Sequence, residues 1–253
     1  GTDAANREQS DGGRGEGTDA ANREQSDGGR GEGTIGSLAD FRREAGRLFA
    51  GSFVVVFAVV MCSGLYYRGV LTFLPGLLGN LPGFGPVALS TLVGEVGAGQ
   101  TIQPERYVYS GLLIVGVAGQ YVGGKLTDRV AVERGLIAAF AGLVLVALAF
   151  PVVAPRGGPA LLALCAVLGF VLFSAQPFYQ ATVAEYTPAD ARGLSYGFTY
   201  LGVFGVGAFG GVLAGGLLAY ADRTALFLAL ALVAALGVTF GGTLLRRGTR
   251  VAD

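Results

Sequence analysis

Gly119-Gln-Tyr-Val-Gly-Gly-Lys-Leu-Thr-Asp-Arg-Val-Ala-Val-Glu-Arg-Gly135 decides how the rest of the chain reads. An apolar run enters it from Tyr109, and another leaves it from Leu136. Between them sit Lys125, Asp128, Arg129, Glu133 and Arg134. Two long hydrophobic segments are thus joined by a very short, charged, net basic turn. That pattern predicts a membrane hairpin, with its basic end on the cytoplasmic side.

The composition agrees. Of 253 residues, 52% are hydrophobic and 14% charged, where soluble domains carry about 25% charged residues. The apolar sequence lies in long runs and exceeds what one globular core needs, so an integral membrane protein is expected. The net charge of zero conceals an asymmetry: residues 1–32 hold eight acids against four arginines, and the remainder fourteen bases against ten acids. Histidine is absent. This excludes His-ligated zinc or haem and every Ser–His or Cys–His catalytic pair. No catalytic residue, metal or cofactor is expected. Cys62 and Cys165 both fall inside apolar runs and read as small buried hydrophobes, with no disulfide framework. The chain starts at Gly1 without signal-peptide features and is read as a fragment.

Residues 1–36 read as a disordered linker, because a sixteen-residue polar unit stands twice unchanged over residues 1–32 without an aromatic, Val, Leu or Ile. Such a segment cannot bury enough apolar surface to offset its ordering entropy. Residues 37–48 read as an amphipathic cytoplasmic lead-in, with Ser37 and Asp40 as a capping-box variant. Residues 49–247 read as an all-α, polytopic six-helix transmembrane domain, and residues 248–253 as a cytoplasmic tail. The predicted spans are Phe49–Leu78, Tyr109–Leu126, Gly135–Val153, Ala160–Ala184, Leu194–Tyr220 and Thr224–Leu245, each near the roughly 20 residues a bilayer requires. Loop charge orients them. Arg42, Arg43, Arg47, Lys125, Arg129, Arg134, Arg192, Arg246, Arg247 and Arg250 fall on one side, and only Arg106, Arg156 and Arg223 on the other. Both termini are therefore expected in the cytoplasm of a cell bounded by this membrane. The loop 79–107 then faces outside, with a short surface helix expected near Val87–Val93.

Glycines punctuate the spans. Gly119 and Gly123 recur on one face of the second, and Gly207, Gly211 and Gly215 on one face of the fifth. Close backbone approach at small residues is how helices associate in lipid. Gly205-Val-Gly-Ala-Phe-Gly210 fits a dinucleotide fingerprint, but it lies inside an apolar helix rather than between a strand and a helix, so it carries no cofactor.

Two stretches hold polar groups within apolar runs. Arg68 follows Tyr66 and Tyr67 in the first span. It either faces a cavity or snorkels to the outer interface beside those tyrosines. In the fourth span Gln176 and Gln180 share a face with Phe173, Tyr179 adjoins it, and Pro177 is expected to kink or unwind the helix. Polar groups beside such a break suit a mid-membrane solute site, or else inter-helix hydrogen bonds alone.

The hairpin stretch resembles the major facilitator superfamily loop motif G-x-L-x-D-R-x-G-R-K-x. Gly124, Leu126, Asp128 and Arg129 match it; Ala131 stands for its second Gly and Val132 for its first basic residue. Such decay resembles the family's weaker copy between helices eight and nine. Glu185, Pro188, Arg192 and Gly193 are similar to its loop between helices ten and eleven. The resemblance covers about residues 40–250. It implies the C-terminal six-helix half of a twelve-helix transporter with alternating access, and an N-terminal six-helix half as partner. It also implies that the first and fourth spans line the cavity, which would hold Arg68, Tyr67, Gln176, Tyr179 and Gln180. Asp128 and Glu185 among Arg129, Arg134 and Arg192 would form a cytoplasmic gate. The other expected partners are the lipid bilayer and a small solute, and no nucleic acid. A non-transporting structural or partner-dependent membrane module remains the alternative. No Asp or Glu lies near the middle of a span, so no proton carrier stands out.

Overall fold

Each long apolar run folds as a helix. The computed structural model describes residues 38–81, 87–88 and 101–251. The repeat-bearing linker, Ser37 and the end of the tail lie outside them. Helix α1 spans Leu38–Ala50, α2 Phe53–Leu71, α3 Leu74–Gly79, α4 Pro104–Thr127 and α5 Val132–Val153. Then come α6 at Gly158–Glu185, α7 at Arg192–Tyr200, α8 at Gly207–Tyr220 and α9 at Arg223–Val251. A π-helical turn, Leu201–Val206, joins α7 to α8.

The breaks have local causes. Pro104 and Pro159 stand in the first turns of α4 and α6, where a missing N–H costs nothing. Gly157 supplies the positive φ, 61°, that turns the chain into α6. The Asp222 carboxylate accepts a 2.7 Å bond from the Ala225 N–H and so caps the start of α9. The first span is not one helix: it breaks at Thr72 and Phe73 and resumes as α3. In contrast, α6 runs unbroken through Pro177, so the expected unwinding does not occur. At the start of the surface helix expected near Val87–Val93 the chain is extended instead. Val87 and Ala88 form a strand, β1, paired antiparallel with Ile102 and Thr101 of β2. β-Branched residues on both strands suit that pairing. Residues 89–93 lie outside the described residues.

Phe53–Gly79, Val132–Arg156, Gly158–Glu185, Ala189–Tyr220 and Arg223–Arg247 are long and apolar enough to cross a bilayer. The molecule is an all-α polytopic membrane bundle. Helix α4 has the length, since 24 residues reach about 36 Å. It is less apolar because Glu105, Arg106, Gln120, Lys125 and five glycines dilute it.

Three of those glycines, Gly116, Gly119 and Gly123, are where α6 approaches. A Cβ on Gly119 would lie 2.2 Å from the Phe170 carbonyl oxygen, and one on Gly123 would lie 2.7 Å from that of Ser174. The opposing Gly169 meets the Leu112 carbonyl oxygen at 2.3 Å in the same sense. Helix α2 meets α8 similarly, but not along the expected row of every fourth residue. Gly207 abuts Gly64, and a Cβ on Gly210 would lie 2.2 Å from the Leu65 oxygen. Gly211 comes no closer than 3.9 Å to Thr72, and Gly215 faces the Phe73 ring at 3.1 Å. Buried Gly207, Gly210 and Ala214 thus form the seam, following the helical three-and-four spacing.

Helix α5 packs on α6 and α9, where Phe150 stacks on Phe227 with ring centroids 4.0 Å apart. The buried Tyr66 hydroxyl donates to the Leu143 carbonyl at 3.1 Å and ties α2 to α5. Helix α1 docks through aromatic rings, with Phe49 lying 4.9 Å edge-on to Phe198 of α7.

Candidate functional site

A cavity of about 310 Å³ lies among α2, α6, α7 and the π turn. Helix α2 contributes Ser63 and Tyr67, and α6 contributes Phe173, Gln176, Tyr179 and Gln180. The third wall is Tyr196, Thr199 and Tyr200 of α7 with Val203 and Phe204 of the π turn. Spacings of three and four residues put this wall on one face of the helical rod. Tyr67 meets Phe173 edge-on at 5.8 Å, and Tyr200 stacks on Phe204 at 6.0 Å. The Gln120 amide donates to the Gln176 side-chain oxygen at 3.2 Å, so α4 orients Gln176 from behind. Pro177 has no N–H, so the Phe173 carbonyl loses the donor it would have in a regular helix.

Tyr67, Gln176, Tyr179 and Gln180 are therefore brought together. Arg68 is not in the lining. It is exposed in the last turn of α2, with its guanidinium carbon 5.8 Å from the centroid of the Phe204 ring. Because Phe204 lines the cavity, Arg68 stands at its edge. The third wall was missed in the sequence because Leu194–Tyr220 read as one apolar span, with its first tyrosines near the end. The recurrence of Tyr196, Thr199/Tyr200 and Val203/Phe204 was the available signal.

The charges expected at the gate are all exposed. Asp128, Arg129 and Arg134 flank the α4–α5 turn, and Glu185 and Arg192 flank the turn between α6 and α7. Among the described residues none of these five is in an ion pair, and the pair seen is Arg43 with Asp40 at 2.7 Å. Gly124 accepts a 2.6 Å bond from the Thr127 hydroxyl through its carbonyl. What the same region does contain is a buried contact. The Tyr186 hydroxyl, 2.6 Å from a Glu133 carboxylate oxygen, also approaches the Leu244 carbonyl of α9 at 3.4 Å. Burial, then the hydrogen bond to Glu133 and its charge, hold the Tyr186 phenol above its ordinary pKa. Glu133 occupies the position where the loop motif has its second basic residue.

Among the described residues no group of His, Cys, Asp or Glu could hold a metal ion. Cys62 and Cys165 are buried free thiols.

The family model of the Major Facilitator Superfamily matches residues 14–211, most of the chain. The chain belongs to that family of membrane transporters. No curated protein and no solved structure matches it.

Proposed function

We propose that this chain supplies the C-terminal six-helix half of a secondary transporter that moves a small solute by alternating access. Its solute site is the cavity of Tyr67, Gln176, Tyr179 and Gln180, with Arg68 at its edge. The observation that carries this reading is the convergence of amides, phenols and rings from three helical elements on one cavity within the membrane-spanning helices. Helix α4 serves as the sixth span, its glycine face turned to α6 and Tyr107, Ile114, Val117 and Tyr121 exposed. The basic turn between α4 and α5 faces the cytoplasm of the plasma membrane, as do both termini. An N-terminal six-helix half closes the other side of the cavity. Asp128, Arg129, Arg134, Glu185 and Arg192 are apart in this conformation and come together when the bundles rock.

Uptake into proteoliposomes tests this reading. Samples hold this chain alone, this chain with a matching N-terminal six-helix half, and that pair carrying Gln176→Ala. Uptake by the pair, lost in the variant while folding and assembly persist, is expected. Uptake by the chain alone would overturn the two-half reading. Failure of the pair across neutral, anionic and cationic solutes would overturn transport.

A further inference from the structure

Among the described residues the cavity lining carries no formal charge. Its rings are Tyr67, Phe173, Tyr179, Tyr196, Tyr200 and Phe204, and its remaining polar groups are two amides and two hydroxyls. We infer that this site takes an uncharged, ring-bearing solute with hydrogen-bonding groups, and excludes both anions and organic cations. The biological sense of the inference rests on the transport reading above; the binding does not.

Charge accounts for both exclusions. An anion entering the site would have to shed water without a facing cation, which is costly. The nearest candidate, Arg68, is exposed and lies over the Phe204 ring instead of lining the cavity. A cation would meet no carboxylate in the lining. Aromatic faces do attract cations, but here the Phe204 ring already carries the Arg68 guanidinium. On the other rings a cation would gain less than an unpaired charge loses in leaving water.

The geometry favours a neutral ring. The Tyr67–Phe173 pair belongs to α2 and α6, and the Tyr200–Phe204 pair to α7 and the π turn. A planar solute can thus be contacted by rings from two walls, at the offset or edge-on distances aromatic groups prefer. Gln176 uses its oxygen on Gln120, which leaves its NH₂ to donate. The phenols can donate or accept as the solute requires, and Thr199, whose hydroxyl donates to the Ser195 carbonyl at 2.8 Å, can accept.

A probe series differing only in charge tests this. The chain has no tryptophan, so indole fluorescence reports on the probe alone. N-acetyl-L-tryptophanamide is neutral and N-acetyl-L-tryptophan anionic, while L-tryptophanamide is cationic at about pH 6. Each is titrated against the chain in lipid nanodiscs, with empty nanodiscs as the blank, and read by fluorescence anisotropy. The neutral probe is expected to bind at least about tenfold more tightly than either charged one. Tyr200→Ala and Gln176→Ala should each weaken it by about tenfold, and Tyr200→Phe, which keeps the ring, by less, whereas Tyr220→Ala, exposed and outside the lining, should leave it nearly unchanged. Thermal unfolding of each variant separates lost binding from lost folding. Tightest binding of the anion, abolished by Arg68→Gln, would overturn the inference in favour of recognition by Arg68. Tightest binding of the cation, or no binding of any probe, would overturn it too. Neutral-selective binding without uptake of that probe by the assembled pair would leave the inference standing and count against transport. Uptake of charged probes alone would do the reverse.

Discussion

The Tyr186 hydroxyl donates a 2.6 Å hydrogen bond to Glu133, a carboxylate only 6% exposed, and so fastens the end of α6 to the start of α5. A hydrogen bond to a charged group contributes about 1.5–3 kcal/mol, and removing the donor leaves a buried charge uncompensated. Tyr186→Phe is expected to lower stability by about that amount, and Glu133→Gln, which keeps an acceptor, by less. Thermal unfolding in detergent micelles measures both. Equal, negligible losses would mean the contact is incidental.

The same pair has a pH signature. The Tyr186 phenol is held above its ordinary value, chiefly by burial, so the fold favours its protonated form. That contribution is complete below the unfolded tyrosine pKa of about 10 and is lost as pH rises above it. The stability difference between wild type and Tyr186→Phe should therefore be flat through neutral pH and shrink in alkali. A difference that grows with pH would contradict this.

Glycine substitutions should separate the α2–α8 seam from its surroundings. Gly210→Ala places a methyl 2.2 Å from the Leu65 carbonyl oxygen, a backbone atom that cannot swing aside. Gly216, on the same helix, has nothing within 4 Å of an added Cβ. Gly210→Ala is expected to cost about 1–3 kcal/mol, whereas Gly216→Ala should be neutral or stabilising by up to about 1 kcal/mol, from helix propensity. Gly211→Ala should behave like Gly216→Ala, since its nearest neighbour is 3.9 Å away. Unfolding midpoints in one detergent give the ranking.

The exposed end charges should split stability from turnover. Asp128, Glu185 and Arg192 form no ion pair among the described residues, so Asp128→Asn, Glu185→Gln and Arg192→Gln should each change stability by less than about 0.5 kcal/mol. If these residues pair in another state of the cycle, the variants slow uptake by the assembled transporter without changing solute affinity. Unchanged turnover in all three would remove them from the gate.

Much of the fold was legible because a bilayer leaves few options: apolar runs of this length become helices, and their ends carry the charges. The glycines of α4 were legible too, since Gly119 and Gly123 stand at the spacing that lets α6 approach. Glu133 was not, because a carboxylate beside Arg134 in a basic turn reads as solvated. Only the return of α6 brings Tyr186 over it. Within the cavity, Tyr67 and the α6 residues stood out as polar groups in apolar runs. Tyr196 and Tyr200 did not, since a tyrosine near a helix end reads as an interfacial anchor. Arg68 read equally as a cavity residue or an interfacial one, because only the break at Thr72 and Phe73, which the apolar run does not announce, sets it exposed in the last turn of α2.

The π turn Leu201–Val206 amounts to a one-residue insertion absorbed by wider winding. An insertion of that kind can be taken back. Deleting Leu201, which is exposed, should let the segment rewind as ordinary α-helix, with α7 and α8 each keeping its facing. Deleting Val212, two positions past the Gly207–Gly210 contact, has no such slack. It rotates every later residue by about 100° and swings Ala214 out of the seam. The first deletion should fold and lose probe binding, because Val203 and Phe204 shift in the cavity wall; the second should not fold. Evolutionary tinkering with the solute site thus has a place to add or drop a residue without redrawing the helix around it.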